Sequence, residues 1–308
     1  MKIKMIASDM DDTLLNNERK ISPRNLAAIK RALAAGIVFT LATGRMYRSI
    51  KPFAEQLQLD VPLIAYNGAL VKGALSEKVY ARKPMQLQTA LDALSYCKEK
   101  DYYVQVYIDD ELLVKEENEY SRMYSRISGV PTTAVGEAVY HITKAPYKLL
   151  LMTESSDFAA AWQDVANRFD RRIDVTSSKD NFLELMEPAV NKWVAVKELA
   201  ESFGIKPDEI MCIGDSNNDI SMIANAGIGV AVANAKPQVQ QAAKLITASN
   251  DNDGVALAIE NILTRQATGD DGTLSGDLQL YWMQRLYKSM YSGLKCHAVY
   301  RIRTERRT

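Results

Sequence analysis

Directly after an apolar run, Ile3 to Ser8, the chain reads Asp9-Met10-Asp11-Asp12-Thr13. Carboxylates two residues apart can face one crevice, where their repulsion demands a cation or a shared proton. In an open parallel sheet, ligands bind beyond the carboxyl ends of the strands, so Asp9 stands where a ligand would. Thr43, after a second apolar run, offers a hydroxyl to a phosphate oxygen, and Gly44 lets the backbone come close. Lys192, at a helix start, offers a fixed positive charge. Gly214-Asp215-Ser216-Asn217-Asn218-Asp219 offers further carboxylates to a hard metal ion. Singly, these are a solvated turn, a surface lysine and cap residues. Their joint placement at strand and helix edges is what points to chemistry.

The elements that must hold these groups alternate in period. Ile3–Ser8 reads as a buried strand. Ser22-Pro23 starts a helix as N-cap and first helical residue, with Leu26, Ile29 and Leu33 on one face and Gly36 closing it. Ile37–Leu41 is a second strand, and a helix with Ile50, Phe53 and Leu57 inward follows. Leu63–Tyr66 is a third strand, ending at Asn67-Gly68. Strand and helix in alternation predict a parallel sheet covered by helices. Between about Lys83 and Glu187 the rhythm changes. A helix over Gln86–Lys100, strands at Tyr103–Ile108 and Leu112–Lys115, a further helix, a strand at Lys148–Met152, a helix through Trp162 and Phe169, and strands near Ile173 and at Phe182–Met186 predict an α+β insert, an antiparallel sheet with helices on one face. The first pattern then returns. Trp193, Val196, Leu199 and Phe203 mark a helix, Ile210–Ile213, Ile228–Val232 and Leu245–Thr247 are strands, and Gly254–Leu263 is the last helix.

The composition of the 308 residues, 47% hydrophobic and 25% charged, is that of a globular protein with a sizeable core. With 38 basic and 38 acidic side chains, no global field draws the chain to nucleic acid or to a membrane. Three scattered cysteines, Cys97, Cys212 and Cys296, form neither a disulfide framework nor a zinc motif and read as buried free thiols. No signal peptide or long apolar span is evident, and the expected location is the cytoplasm. From Arg285 onward the charge is strongly basic, after a polar, turn-rich linker at Gly269–Gly276. Leu280–Leu294 has the makings of a short amphipathic helix.

Taken together, DMDDTLL (Asp9–Leu15), LATGR (Leu41–Arg45), NGA (Asn67–Ala69), Lys192 and GDSNND (Gly214–Asp219) resemble a phosphatase of the haloacid dehalogenase (HAD) superfamily, Cof-type. Weaker matches are GVAVANA (Gly229–Ala235), Asn250, and DGVA (Asp253–Ala256). The resemblance implies an α/β fold: a Rossmann-like parallel-sheet HAD core of residues 1–82 and 188–264, with an inserted α+β C2-type cap domain over 83–187. Residues 265–308 are then an atypical C-terminal extension. Trp193 departs from the glycine usual after the motif lysine, which bears on the helix start and leaves the ammonium in place.

What the resemblance implies for the site is a Mg2+-dependent hydrolysis of small phosphorylated metabolites, sugar phosphates or cofactor phosphates. Asp9 would be the nucleophile and Asp11 the acid and base, with Thr43 and Lys192 on the phosphoryl oxygens. Asp9, the backbone carbonyl of Asp11, and Asp215 would hold the metal. Gly44, Arg45, Asn67 and Asn218 would lie toward the substrate, and Asn218 and Asp219 would orient Lys192 and the metal's surroundings. Ser177 or Ser178 would hang from a cap loop, and Tyr102, Tyr103 and Tyr107 would either stack on a ring or pack in the cap. A phosphomutase of the same superfamily, and an aspartate-phosphorylated switch without turnover, are the alternatives.

Overall fold

The structure, a computed structural model, describes residues 2–58, 62–179 and 181–268. The elements run β1 (Met5–Ser8), α1 (Pro23–Ala34), β2 (Val38–Leu41), α2 (Tyr47–Leu57), β3 (Pro62–Ala65), β4 (Leu70–Gly73) and β5 (Val79–Arg82). They continue through α3 (Leu87–Glu99), β6 (Val104–Ile108), β7 (Glu111–Val114), α4 (Glu119–Ser128), β8 (Thr133–Ala134), β9 (Lys148–Met152), α5 (Phe158–Phe169), β10 (Asp174–Lys179) and β11 (Phe182–Met186). The last are α6 (Lys192–Ser202), β12 (Ile210–Gly214), α7 (Ile220–Asn225), β13 (Ile228–Ala231), α8 (Pro237–Ala242), β14 (Leu245–Ile246) and α9 (Gly254–Thr268).

Five strands form a parallel sheet in the order β14-β13-β12-β1-β2. β1 is fully buried between β12 and β2, with Met5 opposite Ile210 and Val38. The chain therefore leaves β1 in one direction across the sheet and later returns on its other side, which opens a crevice at the carboxyl end of β1. α1 begins as its sequence dictates: Ser22 accepts from the Asn25 amide and Pro23 occupies the first turn. The helix layer includes α1 against α9.

The third expected core strand departs from the parallel sheet. β3 heads a three-stranded antiparallel sheet, β3-β4-β5, and meets the end of β2 through the parallel bridge Ala42–Ile64 and a hydrogen bond from the Thr40 hydroxyl to the Pro62 carbonyl. The cause is local: Tyr66 and Asn67 both adopt left-handed backbone (φ 49° and 53°), so the chain doubles back at once into β4.

A six-stranded sheet, β10-β11-β9-β6-β7-β8, fills the middle of the chain. Its pairs are antiparallel except for β7 with β8. The period of two divides its faces. Leu149, Leu151, Leu183, Leu185, Val104 and Val106 pack with α3 and α5 in one apolar cluster. Lys148, Phe182, Glu184 and Tyr107 alternate with them and point the other way. Helices were expected on one face. α4 instead lies on the second face, where Tyr124 meets the rings of Tyr107 (6.1 Å) and Phe182 (5.9 Å).

α9 also runs past its expected end at Leu263, to Thr268, and the Gln266 side chain accepts a 2.6 Å hydrogen bond from the Ile3 amide at the foot of β1. Cys97 and Cys212 are free and buried, and burial pushes the Cys97 thiol up to about 12. Cys296, the linker and the basic stretch lie outside the described residues. Among the described residues no helix is long and apolar enough to cross a membrane.

Candidate active site

Asp9 follows β1, and its amide donates to Ile213 at the end of β12 (2.9 Å), so the central strand's register fixes where its carboxylate sits. Lys192 is the first residue of α6, where the Asn191 side chain caps the Val194 amide. Trp193 leaves that helix start intact. The Lys192 ammonium is fully buried and donates to Asp9 Oδ1 at 2.5 Å and to Asp219 Oδ1 at 2.7 Å. Burial opposes its charge, but the attraction of Asp219 and Asp9 outweighs that and holds its pKa above the ordinary value.

Asp219 is spoken for on both oxygens, since Oδ2 accepts from the amides of Asp215 and Ser216 at 3.0 Å each. Gly214 is required beside it: a Cβ there would lie 2.5 Å from the Asp219 carboxyl carbon. Asp215 accepts from Thr13 Oγ1 (2.8 Å) and Ser216 Oγ (2.7 Å). Oxygens of Asp9, Asp215 and Asp219 lie within 4.8 Å of one another. Burial raises Asp9 well above the usual carboxylate range in spite of Lys192. Burial, then repulsion from Asp219, pushes Asp215 up to about 7. Three buried carboxylates against one ammonium leave uncompensated negative charge, and an all-oxygen donor set suits a hard divalent cation such as magnesium. The residues present fit one.

Asp11 faces a different partner. Its carboxylate, 37% exposed, is gripped by the Arg45 guanidinium through two hydrogen bonds, Nε–Oδ2 at 2.7 Å and Nη2–Oδ1 at 2.6 Å. Burial would raise its pKa, but the Arg45 hydrogen bonds prevail and hold it below the usual range. Its side chain is not part of the carboxylate cluster, so among its groups the backbone carbonyl is left for a metal. The loop that starts at Asp9 is tied down from outside. Asn234 donates to the Asp12 carbonyl (2.7 Å) and Asn250 to that of Leu15 (3.1 Å), which gives the weaker matches at GVAVANA and Asn250 a place in the site.

Thr43, Gly44 and Arg45 form the loop after β2. Thr43 donates its amide to Ile64, while Asn67 and Tyr66 donate theirs to the carbonyls of Thr43 and Arg45 (2.9 Å each). Thr43 Oγ1 accepts from the Arg45 amide at 3.2 Å. One cavity is lined by Asp9, Asp11, Thr43, Gly44, Arg45 and Asn218 from the parallel-sheet side, and by Lys148, Lys179, Phe182 and Glu184 of the inserted sheet with Tyr124 of α4. Asn218 makes no hydrogen bond to Lys192. It donates to Asn67 Oδ1 (2.9 Å), and its own Oδ1 has no partner. Gly44 turns out to make room for side chains: a Cβ would sit 3.0 Å from Asn67 Oδ1 and 3.4 Å from Glu184 Oε2.

The expected cap residues fare less well. Ser177 sits on β10, not on a loop, and its hydroxyl accepts from Asn217 (3.1 Å). The Ser178 side chain lies outside the described residues. Tyr107 is fully buried and bonds Gln105, Tyr102 bonds Asp164, and Tyr103 accepts from Gln105, so their role is packing. Sequence reasoning missed Lys148 and Glu184, whose signal was a charge inside each of the apolar runs Tyr147–Met152 and Phe182–Met186.

A family model of haloacid dehalogenase-like hydrolases matches residues 6–259. A 5-amino-6-(5-phospho-D-ribitylamino)uracil phosphatase of Bacillus subtilis is 30% identical over 290 residues, covering 86% of this chain and 99% of its own. The crystal structure of a haloacid dehalogenase-like hydrolase from Bacteroides thetaiotaomicron superposes with a TM-score of 0.77 at 29% identity, over 85% of this chain and 100% of that one. A HAD subclass IIB sugar phosphatase shares the fold, with a TM-score of 0.74 at 24% identity over 84% of this chain and 98% of that one. The chain belongs to the haloacid dehalogenase-like hydrolases, in their Cof-type branch, with a capped α/β fold. It is an enzyme of the phosphatase class.

Proposed function

We propose that the protein is a Mg2+-dependent phosphatase that hydrolyses small phosphorylated metabolites through a phosphoryl group carried on Asp9. The observation that carries this reading is Asp9 at the carboxyl end of the central strand, hydrogen-bonded to the buried Lys192, which also bonds Asp219, and lining a cavity together with Thr43 and Asp11. The Asp9 carboxylate attacks phosphorus, the bond to the leaving alkoxide breaks, and Asp11 gives that oxygen its proton. Water then loses a proton to Asp11 and attacks phosphorus, which frees phosphate and restores Asp9. The Arg45 fork favours ionised Asp11, the form that takes up the water's proton, and loosening of the fork lets Asp11 serve as the acid.

Thr43 and Lys192 hold the phosphoryl oxygens and offset charge that grows on the transferring group. Asp219 keeps Lys192 in place. Asp9, Asp215 and the Asp11 carbonyl would hold magnesium, which when bound supplies positive charge to the phosphoryl group and neutralises the carboxylate cluster. The core then comprises 1–82 and 188–264, with 83–187 as the cap that closes on the substrate in the cytoplasm. Polar and aromatic groups together in the cavity suit a polyol or ring-bearing phosphate. The phosphorylated ribityl compound named for the Bacillus relative is of this kind.

The test is phosphate release from a panel of sugar phosphates, cofactor phosphates and p-nitrophenyl phosphate, with magnesium and with excess EDTA. Turnover that EDTA abolishes is expected. Absence of turnover on every compound with magnesium present counts against the reading.

A further inference from the structure

Two charges from the inserted sheet reach the heart of the site. Lys148 on β9 and Glu184 on β11 are diagonal neighbours on the sheet face opposite its apolar cluster. They are only 1% and 2% exposed. Charges so far from water persist where definite partners hold them. These two pair with each other (3.4 Å), and Lys148 lies over the Tyr107 ring at 4.8 Å. Both also reach across to the parallel-sheet side. Lys148 Nζ donates to the Gly44 carbonyl at 2.8 Å, and Glu184 Oε2 accepts from Asn67 Nδ2 at 2.5 Å.

Both targets belong to the phosphoryl-binding apparatus. Gly44 lies between Thr43 and Arg45. Asn67 holds the Thr43 carbonyl with its amide and accepts from Asn218 in the turn that carries Asp215 and Asp219. The bare Cα of Gly44 is what admits the pair, since any Cβ would press on Asn67 and Glu184. Further contacts between the two sides, among them Asp110 with Tyr66, Ser177 with Asn217, Arg19 with the Arg126 and Ile127 carbonyls and the exposed Arg82–Asp109 ion pair, do not fall on Gly44 or Asn67.

We propose that Lys148 and Glu184 are positioning residues that couple cap closure to catalysis: by docking on Gly44 and Asn67 they set the Thr43–Arg45 loop and, through Asn218, the Asp215–Asp219 turn. The proposal rests on the phosphatase reading for its kinetic consequence and on geometry alone for its structural one. A pair that served stability only would be replaceable by apolar groups without loss of turnover. A pair that read the leaving group would matter for some substrates and not for others.

The test is the double variant Lys148→Met with Glu184→Leu, which removes both charges and keeps volume, alongside Gly44→Ala, which leaves the charges in place and blocks their seat. For each, kcat and KM are measured on p-nitrophenyl phosphate and on a sugar phosphate, with amide hydrogen exchange as a second readout. Coupling predicts kcat lower by on the order of 10²-fold on both substrates, with KM changed far less, because a misplaced loop costs rate and not affinity. It also predicts faster exchange at the Tyr66 and Asn67 amides with β1 and β9 unchanged. Full kcat in the folded double variant, loss confined to one leaving group, or unchanged exchange at Tyr66 and Asn67 would each overturn it. If the wild type itself releases no phosphate, the phosphatase reading fails and the exchange arm decides the docking by itself.

Discussion

Two buried lysines, Lys192 and Lys148, show how differently the two halves of the site are built. Lys192 starts a helix and sits between two carboxylates at 2.5 and 2.7 Å, all three groups placed by the ends of core elements. Lys148 lies on a strand, with one carboxylate at 3.4 Å and a backbone carbonyl at 2.8 Å as partners. The first is tied to its place whenever the core is folded. The second has a full set of partners only when the inserted sheet lies on the core. Under the proposed reading, charge that acts on phosphorus belongs to the core, and charge that reports closure belongs to the inserted sheet.

The sharpest way to break this contrast is Lys192→Met. It removes the ammonium that Asp9 and Asp219 share, so kcat is expected to fall by on the order of 10²–10³-fold. Urea unfolding of the metal-free variant should also show a loss of about 3–5 kcal/mol, the cost of stranding buried charge. A variant as active as wild type would show that Lys148, or nothing, neutralises the site.

Metal removal sharpens it next. In the metal-free protein Asp215 is raised from 3.8 to about 7. Between those values the folded state binds more protons than the unfolded one, so stability should fall as pH rises from about 4 to 7. Magnesium should flatten that slope, as read by thermal unfolding across pH. A slope unchanged by magnesium would mean that the carboxylate cluster is not where the ion binds.

The smallest effect belongs to Arg45→Met. Asp11 is held low by Arg45, so the pair contributes stability above the ordinary carboxylate range and loses it as pH falls through the depressed value. Relative to wild type, the variant should be slightly less stable near neutral pH and equal to it at strongly acid pH. With Asp11 more than a third exposed, salt should shrink the difference.

The sequence made the core half of the site legible because its groups end strands or begin helices. Asp9, Thr43 and Asp215 follow β1, β2 and β12, Lys192 opens α6, and a parallel sheet brings such positions to one edge. The cap half was not legible. Which face Lys148 and Glu184 present depends on strand register, and their targets, Gly44 and Asn67, lie roughly a hundred residues away. Tyr102, Tyr103 and Tyr107 drew attention as rings, whereas Tyr124 and Phe182 line the cavity, because α4 covers the site face of the sheet. The separate sheet of β3 hung on two left-handed residues, Tyr66 and Asn67, and a non-glycine backbone of that kind leaves little trace in composition. The end of α9 was missed because the apolar period fades at Leu263, while the last turns are met by polar contacts, the Ile3 amide donating to Gln266 and the Thr264 and Thr268 hydroxyls to backbone carbonyls one turn back.

The central claim is that Asp9 carries the phosphoryl group. The most direct measurement is rapid acid quench of a single turnover with labelled substrate and magnesium, followed by peptide mass spectrometry of the wild type and of Asp9→Asn. The account predicts a transient phosphoryl group on the peptide that contains Asp9, and no turnover in Asp9→Asn beyond a loss on the order of 10⁴-fold or more. Turnover without any phosphoryl group on that peptide, or an Asp9→Asn protein as fast as wild type, would contradict it.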